Sequence, residues 1–354
     1  GEADVVAYAL VCADAINLDE PKSYAEAQRS KDRKLWNSAE DEEMDSLYKN
    51  HTWDLTDRPT DQKVIGCRWL YRLKPGIPQV ELPRYKARLV AKGYAQIEGI
   101  DYNDVFAPVV KHVSIRIMLS IVVNQDMELE QMDVKTAFLH GVLQETIYMD
   151  QPEGYVVKGK EDKVCLLKKS LYGLKQSPRE WNLRFHNFMI KQRYKRSECD
   201  PCVYLKGSSY KDMIYLLLYV DDMLIASKNK SDIKDLKEML STEFEMKDLG
   251  AARRILGMDI FRDKEKGVLV LSQEAYLQKL LKTFSMGDCR EVQTPMGSHI
   301  KLQALTTQQE AEQARDMEQI PYASAVGSLM YAMVGSRPDL AYAVGMVSRY
   351  MGKP

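Results

Sequence analysis

The chain has 354 residues, which at about 150 per domain allows two or three units and a core large enough to need no disulfide or structural metal. Hydrophobic residues make up 45% and charged residues 29%, a balance that excludes a fibrous or wholly disordered chain. The net charge of −1 hides a segregation: eight basic residues stand against Glu81 alone between Lys63 and Lys92, and ten against Glu180 alone between Lys163 and Arg196. Acids gather instead at Glu40–Asp45 and around Asp126–Glu153. Such runs are ordinarily solvated faces, yet two basic segments bracketing an acidic one are also what a groove with carboxylates on its floor requires.

Residues 1–22 have no clear period and read as a linker or arm. The start, GEADVVAYAL, has no basic segment, so no secretory signal is expected, and without an initiator Met the chain reads as a piece of something longer. Six scattered cysteines suit a reducing compartment, and the Cys199–Cys202 pair lacks the second ligand pair of a zinc site. The longest apolar runs, Ile117–Val123 and Met213–Val220, fall far short of the roughly 20 residues that span a bilayer.

Ser23 with Glu26 makes a capping box, and Leu35, Ala39, Met44, Leu47 and Tyr48 set the buried face of a helix ending near Asn50. From Val64 the runs IGCRWLYRLK and RYKARLVAKGY, divided by PGIPQVELP, predict a hairpin of basic strands. A helix over Ser114–Asn124 precedes a strand in ELEQMDV. Ser177 as N-cap, Pro178 and Glu180 predict a second long helix with Trp181, Phe185, Phe188 and Met189 inward. MIYLLLYV and MLIAS flank Asp221–Asp222 as strand–turn–strand, and Ser231 caps a helix carrying Ile233, Leu236, Leu240 and Phe244. A hairpin after Gly257, a helix over Glu274–Phe284 and a helical tail from Tyr322 to Met351 complete an α+β chain.

Aspartates at a hairpin tip are ordinarily turn residues. Here both flanking strands are apolar, so the turn sets two carboxylates at the rim of a core, where their repulsion is relieved by a bridging divalent cation such as Mg²⁺. Asp133, following the strand-like Met127–Met132, is the candidate third acid. Three aspartates on neighbouring strands between basic segments suit two-metal phosphoryl or nucleotidyl transfer.

The blocks QMDVKTAFLHG, IYMDQPEGY, SLYGLKQSPREW and LLLYVDDMLIAS, in that order, resemble those of copia-type retrotransposon reverse transcriptases. RYKARLVAKGYAQIEGIDYNDVFAPVV upstream and KDLGAARRILGMDI, LSQEAYLQKLL and YASAVGSLMYAMVGSRPDLAYAV downstream extend the likeness from near Glu20 to the end. The resemblance implies a right-hand polymerase. It puts an N-terminal extension at 1–55, fingers at 56–110 and 142–171, palm at 111–141 and 172–262, and thumb with the start of a connection at 263–354. Asp133, Asp221 and Asp222 match the family's metal-binding acids for two Mg²⁺, with Mn²⁺ as a substitute, and Phe138 matches its steric gate against ribonucleotides. Gly173 and Gln176 fall in the nucleotide-binding motif, and Leu256–Gly257 resembles the primer-grip turn. Lys86 and Arg88, on one strand face, are nucleotide candidates, and Tyr219, Lys92 and Lys175 are primer or template candidates. Triphosphate contact, template phosphate contact and plain solvation all stay open for the fingers cations. Departures are PGIPQVELP, where relatives carry a simpler turn, and the two arginines of AARRILG, where aromatic residues are common.

The implied activity is RNA- and DNA-directed DNA synthesis from dNTPs on an RNA template with a DNA or RNA primer, the groove gripping an RNA–DNA hybrid. It would take place in a cytoplasmic virus-like particle, with no membrane partner. The chain stops after RYMGKP, where the family continues into a ribonuclease H domain, so template cleavage is not expected. Two rivals stand beside it: a catalytically inactive nucleic-acid-binding remnant, and an RNA-dependent RNA polymerase, against which Phe138 speaks.

Overall fold

The structure is a computed structural model, and it describes residues 20–74, 84–209, 212–297, 299–303 and 320–352. The predicted arm therefore lies outside the described residues up to 19, as does the PGIPQVELP turn. The described residues divide into two compact units, parted between Arg253 and Arg254.

In the first unit, helix α1 (Tyr24–Arg29) is capped by Ser23, whose hydroxyl accepts from the Glu26 amide at 3.3 Å. Helix α2 (Arg33–Lys49) buries Trp36, Ala39, Glu40, Glu43, Met44 and Leu47. Leu35 and Tyr48, expected on that face, are 49% and 51% exposed. Two glutamates take up the face instead because each meets a donor: Glu40 accepts from the Tyr71 hydroxyl at 2.6 Å, and Glu43 from the Leu89 amide at 3.3 Å. A reading by hydrophobicity alone rotates the helix.

Strands β1 (Trp53–Thr56) and β2 (Val64–Ile65) lead to the antiparallel hairpin β3 (Cys67–Lys74) and β4 (Arg84–Ala91). Alternation is strict: Trp69, Tyr71, Ala87 and Leu89 are buried in one core with Trp36 and Leu47 of α2. The other hairpin face pairs Arg72 with Lys86 and Lys74 with Arg84 across the ladder, and carries Arg68 and Arg88 as well. Helix α3 (His112–Asn124) and strand β5 (Glu128–Val134) follow. Strands β6 (Val142–Met149) and β7 (Val164–Lys169) close a four-stranded sheet in the order β1-β7-β6-β2.

Helix α4 (Ser177–Lys191) starts one residue earlier in its cap than expected. Gln176 holds the N-cap position, because the Ser177 hydroxyl donates to the Leu171 carbonyl at 2.6 Å, and Glu180 pairs with Arg179 rather than closing a box. Strands β8 (Lys195–Arg196), β9 (Val203–Lys206), β10 (Ile214–Tyr219) and β11 (Asp222–Ser227) precede helix α5 (Lys230–Glu243) and strand β12 (Met246–Ala251). Here too the cap shifts: Asn229, not Ser231, leads the helix, its amide donating to Asp232 at 3.1 Å. The central sheet runs β12-β5-β11-β10-β9-β8. Met132, Val134, Leu216, Leu218, Met223 and Ile225 share a core with Trp181, Phe185, Ile233 and Leu240, so α4 and α5 cover one sheet face.

The second unit opens with the meander β13 (Arg254–Ile255), β14 (Met258–Asp263) and β15 (Val268–Ser272). Helices α6 (Glu274–Thr283), α7 (Tyr322–Gly335) and α8 (Ala341–Val347) follow, as the sequence predicts. Among the described residues no helix is long and apolar enough to cross a membrane.

Candidate active site

Asp133 ends the polar face of β5, opposite in pleat to Met132 and Val134, which point to the helices. Antiparallel register sets Asp222 across from Asp133, Tyr219 across from Asp222, and Lys247 of β12 across from Asp133 on its other side. The four residues form one row over four strands. Asp221 occupies the turn beyond it with Val220, whose φ of 54° is a strained conformation for a β-branched side chain. Two bonds hold that turn: the Trp181 indole donates to the Val220 carbonyl at 2.6 Å, and the Val134 amide to the Asp221 carbonyl at 2.8 Å.

Burial, and then the charges of Asp221 and Asp133, push the Asp222 carboxyl up to about 7. Gln131 relieves it partly, donating to Asp222 Oδ1 at 3.3 Å. Asp133 is also raised, by burial first and then by Asp221, while Lys74, Lys86 and Arg88 pull it back. Cations of the β3–β4 hairpin thus act on the acids of the central sheet. Arg88 does so by contact, its Nη2 3.6 Å from Asp221 Oδ2. Burial and then the neighbouring Arg88, Lys74 and Arg84 push the Lys86 ammonium down to about 8, with Asp221 pulling the other way.

Phe138 sits in the 3-10 turn Ala137–His140 and meets Tyr172 edge-on, ring centroids 4.8 Å apart. Arg88 lies over the same Tyr172 ring, 4.3 Å from its centroid. Gly173, at φ 91°, has no room for a side chain: an ideal Cβ would lie 2.2 Å from the Ala91 carbonyl oxygen. The Ala91 amide donates to Tyr172 O at 2.7 Å, so SLYG is zipped to the end of β4. Gln176 is 1% exposed; its amide donates to Asp101 O at 2.8 Å and Glu145 at 3.2 Å, and accepts from Gln96 at 3.0 Å. Lys175 is exposed and donates to the Tyr102 hydroxyl at 3.0 Å, and Lys92 lies along Gly66. Leu256 and Gly257 form the β13–β14 turn of the second unit, with φ of 52° and 75°.

Asp133, Asp221, Asp222, Tyr219, Phe138, Lys86 and Arg88 are thus brought into one neighbourhood, while Gln176 faces inward. Tyr172 and Lys247 were not singled out from the sequence. Tyr172 is the neighbour of Gly173 in a motif already noted, and Lys247 becomes visible only through the register of β12.

Among the described residues, no three His, Cys, Asp or Glu side chains converge as a finished cage. The donor set nonetheless fits a divalent cation. Two carboxylates raised by burial and mutual charge are hard oxygen donors in need of a counter-ion, and Mg²⁺ in phosphoryl-transfer sites takes one or two carboxylates and completes its shell from substrate phosphates.

Among known proteins, a sequence profile of the family described as reverse transcriptase (RNA-dependent DNA polymerase) matches residues 50–298. The chain belongs to that family. It is 50% identical over 335 residues to the retrovirus-related Pol polyprotein from transposon TNT 1-94 of Nicotiana tabacum, covering 95% of this chain and 25% of that polyprotein. Against the Arabidopsis thaliana transposon polyproteins RE1 and RE2 the identities are 36% and 38%, covering 95% of this chain and 22% of each. The chain thus spans about a quarter of the length of these curated relatives, as a reverse transcriptase region of the copia type. Among solved structures, apo telomerase from Candida tropicalis, truncated from its C-terminal domain, aligns at a TM-score of 0.36 and 9% identity over 68% of this chain and 60% of that one, a likeness that carries no weight for the fold.

Proposed function

We propose that this reverse transcriptase region is an active RNA-directed, and also DNA-directed, DNA polymerase. The observation that carries the reading is the row Asp133–Asp222 with Asp221 at its tip, faced by Arg88 and Lys86 of a cationic hairpin. In the reaction the primer 3′-oxygen bonds to the α-phosphorus of a dNTP, the bond to pyrophosphate breaks, and the hydroxyl proton passes to solvent water. Asp133, Asp221 and Asp222 would hold divalent metal, two Mg²⁺ by this reading, which supplies Lewis-acid activation of the hydroxyl and charge neutralisation at the leaving pyrophosphate.

The chain's own groups do the rest. Lys86 and Arg88 neutralise the triphosphate, Arg88 leaving Asp221 as the nucleotide enters. Phe138, braced by Tyr172, closes the space a 2′-hydroxyl needs. Gly173 lets the backbone of its motif close onto the end of β4 and so sets that motif beside the nucleotide, while Gln176 acts by position, tying the motif to Gln96 and Asp101. Tyr219 borders the acids on the primer side, Leu256–Gly257 supports the primer 3′ end, and Lys92 and Lys175 meet template or primer phosphates. In this reading the chain divides into fingers, palm, thumb and the start of a connection, and works on retrotransposon RNA inside a cytoplasmic particle. Hybrid binding through phosphates weakens steeply with salt.

The test is primer extension on an RNA template with dNTPs and Mg²⁺, wild type beside Asp221→Asn. Loss of a charged group from such a site is expected to cost at least about 100- to 1000-fold in rate with folding and hybrid affinity retained. Substantial extension by the variant removes the metal role. No extension by the wild type, with hybrid binding intact, favours the inactive binding remnant.

A further inference from the structure

The β13–β14 hairpin turns through Leu256 and Gly257, both at positive φ, the geometry of the primed turns that two-residue hairpins use. Glycine takes it freely; leucine does so only where its surroundings over-determine it. The determinant is Tyr331 of α7, 3% exposed, whose hydroxyl donates to the Leu256 carbonyl. An ideal Cβ on Gly257 would lie 2.9 Å from that hydroxyl, so the turn and the tyrosine are fitted to each other.

Tyr331 is itself fixed from behind. Its carbonyl accepts from the Gln273 amide at 3.1 Å, and Gln273 accepts from the Ser336 hydroxyl at 2.6 Å. Gln273 has room only because residue 335 is glycine, where a Cβ would fall 2.1 Å from the Gln273 nitrogen. The Tyr331 ring stands edge-on to Tyr276 at 4.7 Å. Ring and backbone are both held, and the hydroxyl is delivered to the strained turn. The first unit repeats the arrangement at Val220, where a strained non-glycine carbonyl accepts from the buried Trp181 indole.

We propose that Tyr331 is a positioning residue, its hydroxyl setting the Leu256–Gly257 turn in the conformation that supports the primer 3′ end. This rests on the reading of that turn given above.

Tyr331→Phe keeps the ring and its contact with Tyr276 and removes only the donor. Amide hydrogen exchange over residues 254–259 should quicken about 10-fold, the worth of one hydrogen bond, with α7 unchanged. Extension should lose about 10-fold in kcat, with dNTP KM and hybrid Kd within about twofold of wild type. Gly257→Ala should destabilise less in the Tyr331→Phe background than alone, because the hydroxyl it strikes is gone. Unchanged exchange at the turn, or additive substitutions, would overturn the clamp. Faster exchange with an unaltered kcat would overturn the positioning role. A wild type unable to extend any primer sinks the polymerase reading instead, and the exchange and coupling measurements still decide what Tyr331 does.

Discussion

The hairpins β10–β11 and β13–β14 both turn through two residues, and both set a bulky residue in the left-handed region, Val220 at φ 54° and Leu256 at 52°. Both also fix that residue's carbonyl with a donor from a buried aromatic side chain, Trp181 in one and Tyr331 in the other. They differ in the second turn residue. Gly257 is neutral and takes its positive φ without strain, whereas Asp221 adds a third carboxylate beside two already raised by burial. The comparison separates two costs: both turns store backbone strain, and the Asp221 turn stores electrostatic strain as well.

The largest expected effect is on the Trp181 pin. Trp181→Phe keeps an aromatic ring among Phe185 and Phe244 but frees the Val220 carbonyl. Extension per folded molecule should fall about 100-fold, the cost of roughly an ångström of misplacement at a reacting centre. An unchanged rate would mean the strained turn needs no pin. Next is the electrostatic half. Lys86→Gln should raise dNTP KM about 10-fold at pH 7. With burial and neighbouring cations pushing that ammonium down to about 8, wild-type KM should climb between pH 7 and 9, and Lys86→Arg should flatten that climb.

Opposite substitutions then test the backbone half. Gly257→Ala should cost about 1–2 kcal/mol in a urea titration, since alanine is strained at that φ and meets the Tyr331 hydroxyl. Val220→Gly should change stability by less than about 1 kcal/mol, relief of left-handed strain being offset by glycine's entropy. Equal costs for the two would dissolve the contrast. The smallest effect is a pH dependence beside the Trp181 cluster. His140 packs against Trp181 and Phe244, and burial holds its imidazole below the ordinary range. Folded protein then binds that proton more weakly than the unfolded chain, so its contribution, present above about pH 6.5, is lost on acidification. The fall in Tm between pH 7 and 5 should be shallower in His140→Phe.

The nearness of Asp133 to Asp221–Asp222 was legible because each acid adjoins an apolar strand and such strands pair in a core, and the basic hairpin because its period is two. The helix ends were not: Ser177 and Ser231 satisfy the cap pattern, but short-range contacts that the pattern does not weigh, Ser177 with Leu171 O and Asn229 with Asp232, move the caps to Gln176 and Asn229. The α2 face was misread because Glu40 and Glu43 are buried by donors on distant strands. Lys247 and Tyr172 escaped because strand register and ring stacking are not written in local spacing. Gln176 looked like a ligand residue for the same reason, its three partners lying far away in sequence.

Strand β5 has neighbours on both sides, β11 and β12, and each is made well after it. A growing chain therefore carries β5 with two unsatisfied edges for about 90 to 110 further residues, or roughly 5 to 20 seconds at ordinary ribosomal speed. During that interval Met132 and Val134 are an apolar pair on one face of a strand open to pairing with any neighbouring nascent chain. The placement that gathers the acids from distant parts of the chain thus exposes this strand while the chain is being made, and Glu128, Glu130 and Asp133 give the open edge three charges that discourage its self-association.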